Sequence, residues 1–409
     1  MKLSLHLQRN FLAKKLKRYR LYRKDYHFCQ DFFKKLLFKK CCDKISFMIK
    51  NFKKLLSLPN VKKTPLQKII RNEKAECGVC ERRCVISLNK RGVCETKANI
   101  NGSIYSLVFG DISSVESRPI EIKPFFHFYP GSKALTFSTW SCNFKCPWCQ
   151  NYSLSKKKPN PLKANYISPI NMVLMAVNRG NDGICVSFNE PTMLFEYSLD
   201  VFKIAKEKGL YNCLVSNGYM TKKAIDMLKE SGLDAIKIDV KGDKLAYIKY
   251  PKNIDYKVIW RNAEYAKKLG LHVEIVFLVI PKVNDNKKQI EGIIKKHLDT
   301  LGPLVPLHFT RYFPAYKFFN PTTPIEILEW AYNKAKEKGI FFPYIGNVTG
   351  HDYENTYCPN CGETLIIRFG FQIISYRITK EKKCPSCGEE IPITGAPSKK
   401  LTQIIWKQT

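Results

Sequence analysis

The 409-residue chain contains sixteen cysteines, and eleven of them fall into three spaced sets. The tightest set lies in Trp140-Ser-Cys142-Asn-Phe-Lys-Cys146-Pro-Trp148-Cys149-Gln-Asn, with three thiols inside eight residues. Three thiolates converge on one metal centre only if the chain loops around it. Three is also one short of a closed zinc site or a fully ligated four-iron cluster, so one coordination position would stay open for chemistry. Cys146-Pro-Trp-Cys149 by itself also reads as a C-x-x-C thiol–disulfide couple, a reading that leaves Cys142 without a role. His272-Val-Glu274 supplies the first half of a zinc-deaminase signature, but no P-C-x-x-C follows to complete it.

The other two sets hold four cysteines each. Cys358-x2-Cys361 and Cys384-x2-Cys387 are both followed by glycine and have the spacing of a zinc ribbon. Four thiolates close a tetrahedral site, so the expected role is scaffold for a tail too small to bury much core. Cys77, Cys80, Cys84 and Cys94 make the second four. Structural zinc is the expectation there, with an iron–sulfur cluster as the alternative. Tightly spaced cysteine pairs in a chain of this length indicate a reduced, metal-binding protein and not a disulfide framework. No stretch reaches 18 apolar residues, and the first positions carry Lys or Arg where a signal peptide needs an apolar run. The expected location is cytoplasmic.

The elements that would position these residues are legible in the rhythm of the chain. Short apolar runs at 134–139, 183–188, 212–216, 235–240, 272–280 and 304–310 alternate with helical stretches at 169–179, 198–208, 221–231, 255–269, 285–300 and 324–338. Strands separated by helices give βαβ units and a parallel sheet. Six units are too few for a closed eight-stranded barrel, so the expected fold is α/β, a partial (β/α)6 barrel. Its reactive residues should lie at the C-terminal ends of the strands. The cysteine triplet follows the first strand directly.

Cys-x3-Cys-x2-Cys with Trp148 before the last cysteine resembles the cluster loop of radical S-adenosylmethionine (SAM) enzymes. The resemblance implies a [4Fe-4S] cluster on Cys142, Cys146 and Cys149, with SAM chelating the remaining iron. Ser187-Phe-Asn189-Glu190-Pro ends the second strand and is similar to the Gly-Gly-Glu element that holds the SAM ammonium, though both glycines are absent. Ser216-Asn217-Gly218 and Asp239-Val-Lys241 close the third and fourth strands, and His308 ends the sixth. By similarity to the glycyl-radical-activating branch these would contact SAM; read on their own, they are strand-end caps, turns or a satisfied core histidine. An ordered series then widens the likeness. It comprises Cys77-x2-Cys80-x3-Cys84, Gly92-Val-Cys94, Ile104-Tyr105, Pro119-Ile-Glu121-Ile-Lys-Pro124, His127-Phe-Tyr-Pro-Gly131 and Thr356-Tyr-Cys358-Pro-Asn-Cys361-Gly362. It resembles the radical SAM enzymes of the AmmeMemoRadiSam system, relatives of pyruvate formate-lyase activating enzyme, from about residue 75 to 395.

Four segments follow: a basic amphipathic leader over 1–65, a Cys-rich N-terminal segment over 70–130, a radical SAM core over 131–350, and a zinc-ribbon-like tail over 351–409. The net charge is +34, and residues 1–70, with 20 basic against 3 acidic residues, hold half of it. Phe28, Phe32, Phe33, Leu36, Leu37, Ile45, Met48 and Phe52 recur at helical steps beside lysines. That pattern suits a helix packed on its own domain, a membrane contact or a nucleic-acid contact. The resemblance implies an activating-enzyme-like oxidoreductase that cleaves SAM reductively to a 5′-deoxyadenosyl radical, served by an electron donor such as a ferredoxin or flavodoxin, with a protein or peptide substrate. The alternatives are radical modification of RNA, or a non-enzymatic, metal-stabilised nucleic-acid-binding protein.

Overall fold

The computed structural model of the protein describes residues 54–71 and 73–398; most of the expected leader, including its amphipathic helix, and the last residues of the tail lie outside them. Two small antiparallel sheets come first. β1 (Lys62–Lys63), β6 (Ser103–Ser106) and β5 (Lys97–Ile100) form one, in the order β1-β6-β5; β2 (Gln67–Ile70), β3 (Lys74–Cys77) and β4 (Val85–Ile86) form the other. The β5–β6 hairpin turns at Asn101-Gly102, both at positive φ, as the favoured two-residue hairpin turn requires. Pairing of Lys62 and Lys63 with Ser106 and Tyr105 ties the end of the basic segment into the first sheet.

The central sheet has eight strands. β7 (Ser114–Pro119) runs antiparallel to β8 (Lys133–Ser138), which is followed in parallel by β9 (Gly183–Val186), β10 (Tyr211–Ser216), β11 (Ala235–Val240), β12 (His272–Val279), β13 (Leu307–Arg311) and β14 (Pro343–Gly346). All six strands expected from the sequence are present, and β14 extends the parallel series to seven. β7 and β14 stand at opposite ends of the sheet, which makes a partial barrel. Strands such as Gly183–Val186 are buried along their whole length, as in a parallel sheet with helices on its outer face. Those helices, Pro169–Asn178, Phe195–Glu207, Lys222–Glu230, Tyr256–Lys268, Lys287–Leu301 and Ile325–Glu337, lie within a few residues of their expected positions. Ser168, Thr221, Asp255 and Asn286 cap four of them with side-chain oxygens that accept backbone N–H bonds.

The connection between β7 and β8 closes the barrel at its N-terminal end. Phe125 and Phe128 are fully buried there with Tyr211, whose ring passes so close to Gly183 that a Cβ would lie 2.1 Å from it. Glu274, near the start of β12, accepts hydrogen bonds from the backbone N–H groups of Phe126 (3.0 Å) and His127 (2.9 Å) and so anchors this floor. The C-terminal sheet β15 (Thr356–Tyr357), β16 (Thr364–Phe369) and β17 (Gln372–Tyr376) docks on the same floor through Arg368. Its guanidinium lies 4.1 Å above the Phe126 ring and donates to the Phe126 carbonyl at 3.0 Å. Among the described residues no helix is long and apolar enough to cross a membrane.

Candidate active site

Eleven side chains singled out in the sequence, Cys142, Cys146, Trp148, Cys149, Asn189, Glu190, Ser216, Asn217, Asp239, Lys241 and His308, line one cavity of about 530 Å³. They come from the ends of β8, β9, β10 and β11 and from β13, so the parallel topology brings together residues spread over more than 160 positions. The loop carrying the three thiols leaves β8 through Ser141, which has a left-handed φ of 69°. The Phe144 N–H points to Cys142 Sγ at 3.3 Å, and Cys149 Sγ lies 3.1 Å from Ser155 Oγ. Burial and the Glu190 carboxylate push the Cys142 thiol up to about 12. Burial also raises Cys146, against the opposing charges of Lys241 and Lys156. Burial thus biases Cys142 and Cys146 toward the neutral thiol; three soft donors around a space with ammonium groups nearby suit a metal centre that makes them thiolates.

Asn189 ties that loop to the second strand. Its Nδ2 donates to the carbonyls of Thr139 (2.9 Å) and Ser141 (2.7 Å), while its Oδ1 is buried and unpartnered. The preceding Phe188 has a φ of 65°, a strained setting for a bulky residue that turns Asn189 and Glu190 into the cavity. Glu190 accepts hydrogen bonds from Thr192 N–H (3.2 Å), Ser216 Oγ–H (3.0 Å) and Asn217 N–H (2.8 Å), which locks the ends of β9 and β10 together. Burial still raises its carboxyl above the usual range. Asn217 reaches across to Asn143 beside the first cysteine, Nδ2 to Oδ1 at 2.8 Å. Gly218, at φ 73°, completes this turn where a Cβ would lie 2.9 Å from Ile238.

Asp239 lies between Lys237 (2.5 Å) and Lys241 (3.4 Å). Burial opposes its charge, but the two lysines hold the carboxyl below its ordinary value. Trp148 is buried, its ring centroid 5.0 Å from that of Tyr250 and 5.4 Å from that of Phe318. His308 is the second residue of β13 and not its end; its Nε2–H donates to the Glu274 carboxylate at 2.7 Å, and its Nδ1 is buried without a partner. Glu274 also meets His272 Nε2 at 2.9 Å; against strong burial, His272 and His308 hold its carboxyl well below the carboxylate range. His272-Val-Glu274 is thus an element of the barrel floor.

The cavity has polar walls that the sequence did not single out as site residues. Glu121 and Lys123, from the β7–β8 connection, line it together with Lys156, Lys237 and Thr310. Glu121 Oε2 and Thr310 Oγ1 are buried and unpartnered, and burial lifts the Glu121 carboxyl to about 7. The Pro119–Pro124 motif contained Glu121 and Lys123, but only the fold shows that it faces the strand ends.

The two flanking cysteine sets lie outside this cavity. Cys358, Cys361, Cys384 and Cys387 bring their four Sγ atoms within 4.8 Å of one another. Cys77, Cys80, Cys84 and Cys94 line a second, narrow cavity with Arg82, Lys97 and Asn143.

The Radical SAM superfamily profile matches residues 138–295, which carry the cysteine loop and the strand ends from β8 to β12. Over 324 residues the chain is 40% identical to the uncharacterized protein MJ0808 of Methanocaldococcus jannaschii, covering 79% of this chain and 96% of that one. A second protein of that organism, MJ1632, provisionally named a glycyl-radical enzyme activating enzyme, is 30% identical over 255 residues, 60% of this chain and 88% of its own. Among solved structures, a radical SAM methyltransferase from Sphaerobacter thermophilus matches at 17% identity and a TM-score of 0.42, over 53% of this chain and 67% of that one. With a relative matched along nearly its whole length and the profile falling on the strands that build the cavity, the chain belongs to the radical SAM superfamily of enzymes.

Proposed function

We propose that this enzyme is of the activating type, using SAM to abstract hydrogen from a protein or peptide, and that it is a member of the AmmeMemoRadiSam-system family. The observation that carries the reading is the convergence of all eleven residues on one cavity. The likeness to a protein named as a glycyl-radical enzyme activating enzyme supports the substrate class. Cys142, Cys146 and Cys149 would hold the [4Fe-4S] cluster. When bound, cluster and SAM supply one-electron cleavage of a sulfur–carbon bond to give a 5′-deoxyadenosyl radical.

The chain's own residues bind, orient and shield. Asn189 fixes the cysteine loop through two backbone carbonyls and offers Oδ1 as an acceptor for the SAM ammonium, beside the Glu190 carboxylate. Ser216 and Asn217 are held in place by Glu190 for contact with the ribose. Lys241, kept charged by Asp239, would pair with the SAM carboxylate. Trp148 closes the wall behind the last cysteine and keeps water from the reacting centre. His308 completes the far wall. The reductant is a low-potential donor of the ferredoxin or flavodoxin class. Cys358, Cys361, Cys384 and Cys387 hold zinc, as the mutual approach of four thiols favours.

The substrate class is tested by deuterium transfer. The anaerobic enzyme is given SAM, dithionite and perdeuterated cell extract separated into protein, RNA and small-molecule fractions. Deuterium should enter 5′-deoxyadenosine from the protein fraction; entry from RNA alone would replace this reading with RNA modification.

A further inference from the structure

We infer that Cys77, Cys80, Cys84 and Cys94 hold a second iron–sulfur cluster of the four-iron type. The proposal goes beyond the catalytic site and does not depend on it. It rests on how differently the two four-cysteine sets are spaced. A single tetrahedral zinc with bonds of about 2.3 Å draws its thiolates to about 3.8 Å from one another. The C-terminal set is built that way, with Cys358 and Cys387 Sγ atoms 3.5 Å apart and those of Cys361 and Cys384 3.7 Å apart. Among the described residues, no three of the N-terminal thiols share that closeness. They instead line a common cavity, enclosed by Val79, Ile86 and Met193. Thiols that surround a space fit a polynuclear centre, whose own iron and sulfide atoms stand between the ligands.

The surroundings suit a reducible anionic centre. Lys97, only 2% exposed and paired with the equally buried Glu196, lines the cavity together with Arg82. Val79 and Ile86 are almost fully buried, so water is excluded from that side. The site is also clamped to the catalytic loop. Arg82 Nε donates to the Asn143 carbonyl at 2.6 Å, one residue from Cys142, and Asn143 Nδ2 is buried without a partner. Thr221 Oγ1 donates to the Gly78 carbonyl at 2.8 Å and Glu81 N–H to the Tyr219 carbonyl at 3.0 Å, holding the same segment against the end of β10. This assignment replaces the structural zinc expected from cysteine spacing alone.

The test counts metals in the full chain, purified anaerobically and reconstituted with iron and sulfide. Wild type should carry about eight irons and one zinc. A Cys142→Ala/Cys146→Ala/Cys149→Ala variant should keep about four irons, four sulfides and an electron paramagnetic resonance signal on dithionite reduction. Adding Cys80→Ala and Cys84→Ala should abolish all three, with the ribbon zinc retained as a check on folding. Mössbauer spectra of the wild type, which need no variant, should resolve two cluster populations. Four irons and two zincs in the wild type, or a triple variant with a second zinc and no iron, would overturn the proposal. Four irons that survive in the triple variant of a wild type also holding four would instead remove the catalytic assignment.

Discussion

Asn189 offers a sharp test of how the cysteine loop is held, because its two amide atoms face different demands. Nδ2 bridges the Thr139 and Ser141 carbonyls, and the residue is 8% exposed. Asn189→Ala removes two hydrogen bonds of about 1–1.5 kcal/mol each, a loss of roughly 2–3 kcal/mol. Asn189→Asp keeps the shape but turns an oxygen toward two carbonyl oxygens. The introduced carboxyl then stays protonated in the folded state and restores only one bond. Holding it neutral at pH 7, about three units above its ordinary titration, costs roughly 4 kcal/mol at about 1.4 kcal/mol per unit, and the missing bond adds about 1. The aspartate variant should therefore be the less stable at pH 7, by about 2–3 kcal/mol relative to alanine. Its folded pKa is raised, so its deficit is small below about pH 4 and grows as pH rises toward the folded value. Anaerobic denaturant titration of the SAM-free protein at pH 5, 6 and 7 reads this directly. An aspartate variant as stable as the alanine variant, with no dependence on pH, would refute the donor role.

Other outcomes follow from the same structure. Glu274→Gln leaves one of the N–H groups of Phe126 and His127 facing an amide donor and weakens the link to His308, so the floor should lose about 3–5 kcal/mol, read as a lower denaturant midpoint; an unchanged midpoint would show that the floor does not depend on it. Burial lowers His127 to about 3 and His297 to about 4, so both stay neutral while the unfolded chain takes up their protons. Their contribution should be fully present above about pH 6.5 and fall by up to roughly 2.7 kcal/mol per unit toward pH 4, against the opposite slope that Glu121, lifted to about 7, imposes between about pH 4.5 and 7, so it is read as the difference in pH dependence between the wild type and a His127→Phe/His297→Phe variant in denaturant titrations; no difference would contradict their burial as neutral groups. Cys361→Ser should release one zinc per chain and free the 364–376 hairpin to proteolysis without removing iron, whereas loss of iron would mean that the ribbon is not a separate site.

Much of this architecture is legible in the sequence because it is written locally. Apolar runs and capped helices place six βα units within a few residues, and turns such as Asn101-Gly102 announce themselves. The strand-end motifs share a cavity because parallel strands put their C-terminal ends on one side. What escaped the sequence is nonlocal. β14 is only four residues long and opens on Pro343, so it carries no strand pattern of its own and exists by pairing with β13. Glu121 and Lys123 face the site because the β7–β8 connection folds beneath the barrel, which no spacing encodes. The joining of Arg368, Phe126 and Glu274 spans 242 positions in one of its hydrogen bonds. The flanking cysteine sets each hold four thiols in the sequence but differ in three dimensions, since the distance between thiols is set by how the turns and loops that carry most of them fold back on one another.

The central claim is that Cys142, Cys146 and Cys149 build the centre at which SAM is cleaved. Its most direct measurement is 5′-deoxyadenosine formed from SAM and dithionite by the reconstituted protein and by Cys146→Ala, with iron counted in both. The wild type should form 5′-deoxyadenosine, and the variant should form none while losing about four irons. A variant that still forms 5′-deoxyadenosine, or that keeps its full iron content, would contradict the account.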